Sequence, residues 1–157
     1  MLMDADIIKD AAAKYLTRER LMAVALEIGI CPGGKLRADV LALHGGNKSK
    51  GPSVTIVEVK SSVADFKSDK KWHKYLDYCN QFYWAMDCPT YRKVKDLIPA
   101  GTGVMLIGNL GGLKIKRRAP VRELDLPTIL NLSIRMNYRS ADVTRYWVKA
   151  GKTRVKE

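Results

Sequence analysis

Apolar residues recur at helical spacing over residues 4–19 (DADIIKDAAAKYLTRE), where Ile8, Ala12, Tyr15 and Leu16 fall on one face and Asp4 or Asp6 can cap the start. The period then changes. Met22, Val24, Leu26, Ile28 and Ile30 alternate with Ala23, Ala25, Glu27, Gly29 and Cys31, which predicts a strand, with a continued helix as the rival reading. Pro32-Gly33-Gly34-Lys35 predicts a turn. Strands are expected at about 36–43 and 54–60, separated by the polar, Gly- and Lys-rich stretch 44–53. Connections this short hold no crossover helix, so the three strands predict an antiparallel meander.

Ser61-Ser62 can cap a helix over about 63–79, with Trp72, Tyr75, Leu76 and Cys79 at helical spacing. Gln81 to Met86 (QFYWAM) then reads as an apolar strand. A helical crossover of that length fits a parallel pair between it and the strand at 54–60. A short helix is expected at about 90–97. Strands at 103–107 and 113–117 flank Gly108-Asn109-Leu110-Gly111-Gly112 as a hairpin, and helices at about 127–138 and 140–149 end the chain. No repeat and no long linker interrupts the order. The chain reads as one α/β domain spanning 1–157, with a core over about 4–107 and a basic C-terminal hairpin and helices over about 108–157.

Charge narrows the classes of partner. The 157 residues carry 28 Lys and Arg against 16 Asp and Glu, a formal charge of +12, which points to a polyanion. Nucleic acid fits better than anionic lipid, because no basic amphipathic helix with a strong apolar face stands out. No apolar run approaches the ~20 residues of a membrane span, and the first residues lack the pattern of a signal peptide. Cys31, Cys79 and Cys88 form no CxxC and are odd in number, so a disulfide framework or zinc site is not expected and a cytoplasmic location is.

The chemistry concentrates on the strand at 54–60. Residues i and i+2 of a strand share a face, so Glu58 and Lys60 stand side by side behind the apolar run Val54-Thr55-Ile56-Val57. Two charges ending such a strand are costly unless they serve a purpose. On the preceding strand Arg37, Asp39 and Leu41 share a face, and meander pairing can bring Asp39 opposite Glu58. Carboxylates that close raise one another's pKa, and a divalent cation removes the conflict. Oxygen ligands suit Mg²⁺. Lys60 then stands where it can orient or help deprotonate a water and stabilise charge on a phosphate.

Asp39 followed by Glu58-x-Lys60 on an apolar strand resembles the PD-(D/E)XK nuclease superfamily, with Ala38 in place of the usual proline. The stretches RADVLAL (37–43) and IVEVKSSVADFKSDKKW (56–72), then Tyr75 and Cys79, resemble its MmcB-like, DNA-repair-associated branch over roughly residues 22–86. The resemblance implies a restriction-endonuclease-like core in αβββαβ order, with a mixed central sheet flanked by helices. It also implies hydrolysis of DNA phosphodiester bonds with Mg²⁺ or Mn²⁺, in repair, recombination or a mobile-element context. Asp39, Glu58 and the Val59 carbonyl would hold the metal and Lys60 would be the catalytic lysine. A further glutamate before the aspartate is expected, with Glu27 the first candidate and Glu19 the second. Ser62, Asp65, Tyr75 and Gln81 would support the site or contact phosphate.

Each of these residues has a blander reading. E-x-K on a strand is more often a solvated edge pair, and only Asp39 and the long following match reverse that preference. Asp65, Asp69 and the lysines near them suit a solvated helix face, and Ser61-Ser62 suits a cap. The aromatic residues Trp72, Tyr75, Phe82, Tyr83 and Trp84 suit the core. Arg37, Ser62, Lys67, Lys70, Lys71, Tyr75, Gln81, Arg117 and Arg118 are the candidate DNA contacts, which would position the backbone rather than read bases. Basic residues also gather at 114–122 and along the tail from Arg135. The competing function is a non-catalytic nucleic-acid-binding protein on the same fold, and an RNA-directed nuclease is a third. Cutting both strands of a duplex with one site per chain would favour a homodimer.

Overall fold

The computed structural model describes residues 3–140, and the predicted helix at 140–149 past its first residue, with the basic tail beyond residue 140, lies outside them. Helix α1 (Ala5–Lys14) is capped by the Asp4 side chain, which accepts from the Asp6 N–H, and it runs into a π-helical turn over Tyr15–Glu19. Strands β1 (Ala23–Gly29), β2 (Arg37–His44) and β3 (Ser53–Val59) pair antiparallel in sequence order, as the meander requires. Helices α2 (Val63–Ser68) and α3 (Trp72–Tyr75) cross to β4 (Gln81–Asp87), which pairs parallel with β3. Helix α4 (Cys88–Val94), begun by Pro89 and capped by Asp87, leads to β5 (Gly103–Ile107), parallel to β4. Strand β6 (Leu113–Arg117) returns antiparallel, and α5 (Leu126–Ser140) ends the described chain.

The result is one six-stranded mixed sheet in the order β1 to β6, with helices on both faces. On one face Ile8, Ala11, Ala12 and Leu16 of the N-terminal helical segment meet Val57, Val59, Tyr83 and Met105. On the other, Phe66, Tyr75, Ile129 and Leu132 meet Leu41, Ile56, Phe82 and Trp84. Strands covered on both faces read as continuous apolar runs, which is why β3, β4 and β5 are so hydrophobic.

Two sequence expectations are corrected. The helix over 63–79 is not continuous: α2 stops at Ser68, and α3 and a 3-10 turn (Leu76–Tyr78) follow a break at residues 69–71. The cause is a second N-terminal signal. Asp69 Oδ1 accepts the N–H groups of Lys71 (2.8 Å) and Trp72 (2.9 Å), ending one helix and starting the next. The alternation expected over 22–31 also slips phase. Ala25 and Ile28 are buried while Leu26 is exposed, because Glu27 adopts a left-handed backbone (φ 52°) that turns the strand over at that point.

Candidate functional site

Pairing places three acidic residues in one row. Leu26 pairs with Val40 and Ile28 with Ala38, so Glu27 stands opposite Asp39. Val40 pairs with Val57, so the next step sets Asp39 opposite Glu58. The β2–β3 ladder stops there, and the carboxylates take over its hydrogen bonds. Val59 N–H donates to Asp39 Oδ2 (2.8 Å), and Asp39 N–H donates to Glu58 Oε1 (3.3 Å).

Burial makes this pair unusual. Glu58 is 6% exposed and Asp39 half-buried. Desolvation, then the charge of Asp39, pushes the Glu58 carboxyl up to about 8. Burial likewise raises Asp39, against the Val59 hydrogen bond that lowers it. The Tyr75 hydroxyl donates to the Arg37 carbonyl (2.9 Å), tying α3 to the start of β2, and burial beside Glu58 and Asp39 raises its pKa.

Lys60 follows Glu58 on the same side and is only 7% exposed. Its Nζ meets Asp69 Oδ2 at 2.8 Å and Asp65 Oδ1 at 3.8 Å, and lies 5.7 Å from the centroid of the Trp84 ring. Burial alone would push the Asp69 carboxyl up; the Lys60 ammonium and the Lys71 and Trp72 N–H groups outweigh it and hold it below its ordinary value. The sequence reading assigned Asp69 to a solvated helix face, yet its side chain is as buried as that of Lys60 (8% each). The legible signal was Ser68-Asp69 three residues ahead of Trp72, a capping pattern inside an apparent helix.

The remaining candidates divide by place. Glu27 is bound by Lys9 (2.6 Å) and Arg37 (2.8 Å), and its hydrogen bond with Lys9 lowers its pKa. Ser62 caps α2 by accepting the Asp65 N–H (3.1 Å), and Asp65 accepts from the Ser61 N–H (3.2 Å). Lys67, Lys70 and Lys71 are exposed on the strap that carries Asp69. Four candidates, Gln81, Glu19, Arg118 and Arg117, are not brought to the pair. Gln81 begins β4 level with Thr55, donates to the Ala119 carbonyl, and lines a cavity of about 920 Å³ together with Glu19 and Arg118. Leu16, Met22, Tyr83 and Met105 wall that cavity, so it belongs to the α1 face of the sheet. Arg117 lies on β6 and donates to the carbonyls of Pro99 (2.7 Å) and Thr102 (2.9 Å).

A family model described as "DNA repair protein MmcB-like" matches residues 3–147. The chain belongs to the MmcB-like family. Membership associates this MmcB-like chain with DNA repair, and the match extends beyond the stretch over which the sequence itself carries the resemblance. Among solved structures it is similar to SPO1766, a protein of unknown function from Silicibacter pomeroyi. The two are 25% identical, with a TM-score of 0.74 over 96% of this chain and 94% of that one. No curated protein matches. Among the described residues no helix is long and apolar enough to cross a membrane.

The donor set can be tested against a divalent cation. Among the described residues no three His, Cys, Asp or Glu side chains gather around one point, so a metal here would take two carboxylates and complete its shell otherwise. That composition, all oxygen and only two charges, is what Mg²⁺ accepts together with backbone and water ligands. Burial and the neighbouring Asp39 both disfavour the charged form of Glu58, and a cation between the two carboxylates would offset both effects.

Proposed function

We propose that this MmcB-like chain is a Mg²⁺- or Mn²⁺-dependent nuclease that hydrolyses phosphodiester bonds in DNA, on a restriction-endonuclease-like core. The observation that carries the reading is the buried Asp39–Glu58 pair, with Lys60 held beside it and without an ion pair to it. Asp39, Glu58 and the Val59 carbonyl would hold the metal. When bound, it supplies a Lewis acid for a phosphate oxygen and an acidified water.

The protein's own groups do the rest. The Lys60 ammonium, itself buried, stabilises charge building on the phosphate. Tyr75 fixes the backbone at Arg37, two residues before Asp39. Glu27, opposite Asp39, holds Lys9 and Arg37 at the rim. Lys67, Lys70 and Lys71, with Arg37, present exposed cations along which a DNA backbone can lie.

Purified protein is expected to cut DNA with Mg²⁺ or Mn²⁺ and to stop with EDTA, assayed on single-stranded, duplex, flap and four-way-junction substrates. Asp39→Ala, Glu58→Ala and Lys60→Ala should each lower the rate by at least about 100-fold while the circular dichroism stays unchanged. Full activity in any of the three sinks the mechanism. DNA binding without cleavage, and with no heat of metal binding, would leave a non-catalytic binder.

A further inference from the structure

Glu58 and Lys60 share a strand face with Cα atoms about 6.6 Å apart, well within the reach of a lysine. Left to itself, the Lys60 ammonium would fold onto the Asp39–Glu58 pair, where it would neutralise the acidic charge and occupy the space a cation needs. It does not do so. Among the described residues its ion-pair partners are Asp69 and Asp65, both on the strap after β3.

Asp69 is built for this task. Oδ1 is locked by two backbone N–H groups at the helix break, which leaves Oδ2 aimed at Lys60. The Trp84 ring lies on the lysine's path as a further contact. Asp65 is the weaker partner, at 3.8 Å and 43% exposed. The break between α2 and α3 therefore has a use beyond chain reversal.

We propose that Asp69 is a positioning residue that holds the Lys60 ammonium off the Asp39–Glu58 pair and so keeps that pair open for a divalent cation. The inference rests on the nuclease reading and assigns a residue to the control of its metal affinity. Removing the Asp69 charge releases Lys60 onto the pair, where it competes with the metal. Removing Lys60 as well ends the competition.

The test is Mn²⁺ binding by the full chain, followed by electron paramagnetic resonance, in wild type, Asp69→Asn and the double variant Asp69→Asn with Lys60→Met. Asn keeps the oxygen that accepts the Lys71 and Trp72 N–H groups but turns an amide toward the ammonium. Asp69→Asn should weaken Mn²⁺ binding by about tenfold or more, and the double variant should return to the wild-type affinity. A purely structural role for Asp69 would predict no such rescue. Unchanged affinity in Asp69→Asn, or a loss that Lys60→Met does not repair, overturns the anchor while the nuclease reading stands. A wild-type protein that binds no Mn²⁺ overturns both. If Asp69→Asn does not fold, Asp69→Ser, which also retains a capping oxygen, makes the same comparison.

Discussion

Glu58 concentrates the chemistry of the molecule in one carboxyl group. Unfolded, it gives up its proton near the ordinary 4.5; folded and metal-free, it keeps the proton to about 8. Between those values the fold binds more protons than the unfolded chain, so stability falls as pH rises. The contribution is full below about 4.5 and lost above about 8. Urea melts in EDTA should therefore show Glu58→Gln more stable than wild type above pH 8, by at most about 5 kcal/mol. The gap should close toward pH 4.5, and a gap independent of pH would count against the buried carboxyl. Besides burial, the charges of Asp39, Lys60 and Asp69 share in setting its value. Among single residues, the shared side of Glu58 and Lys60 was legible from the sequence because strand periodicity leaves no choice. The partner of Lys60 was not, because Asp69 reaches it only through the bend at residues 69–71.

At the scale of elements, capping decides where the strap runs. Ser62→Ala removes the N-cap of α2 and should cost about 1 kcal/mol, read as a shift in the urea midpoint. Strand β6 carries a basic residue that hydrogen-bonds extensively within the fold. Arg117 binds the Pro99 carbonyl, the Thr102 carbonyl and Thr102 Oγ1, and Thr102 Oγ1 in turn accepts from the Trp84 indole (3.1 Å). Arg117→Ala should destabilise the fold by about 1–3 kcal/mol and leave DNA affinity, measured by fluorescence anisotropy, unchanged. A selective loss of DNA binding would restore it as a contact. The strands and their pairing were largely readable, because short connections force antiparallel neighbours and a helical crossover permits parallel ones. The left-handed turn at Glu27 was not, since nothing in an alternating pattern marks a residue that leaves it.

Across the described residues, the basic side chains of this +12 chain are not spread evenly around the acidic pair. Lys67, Lys70 and Lys71 are exposed on the strap beside it, whereas Arg117 and Arg118 lie on or just beyond β6, three strands away from β3. Phosphate contacts release counterions, so each contributes to the salt dependence of binding. Replacing the three strap lysines by alanine should reduce the slope of log affinity against log salt by about 2 to 3, measured across a salt series. Replacing Arg118 should change the slope less. Equal effects from the two regions would mean that DNA does not run along the strap.

From its sequence alone this protein declared an α/β class, a three-strand meander, a strongly basic composition and the side-by-side placement of Glu58 and Lys60. All of these follow from local periodicity, connection length and composition, which the chain carries without knowledge of its fold. Tertiary structure decided the rest. It set Glu27, Asp39 and Glu58 in one row, buried the last until its carboxyl titrates near 8, removed Gln81 and Arg117 from the neighbourhood of the pair, and turned Lys60 toward Asp69. Each of those outcomes depends on register, burial or a bend between distant residues, and such long-range geometry leaves no periodic trace along the chain.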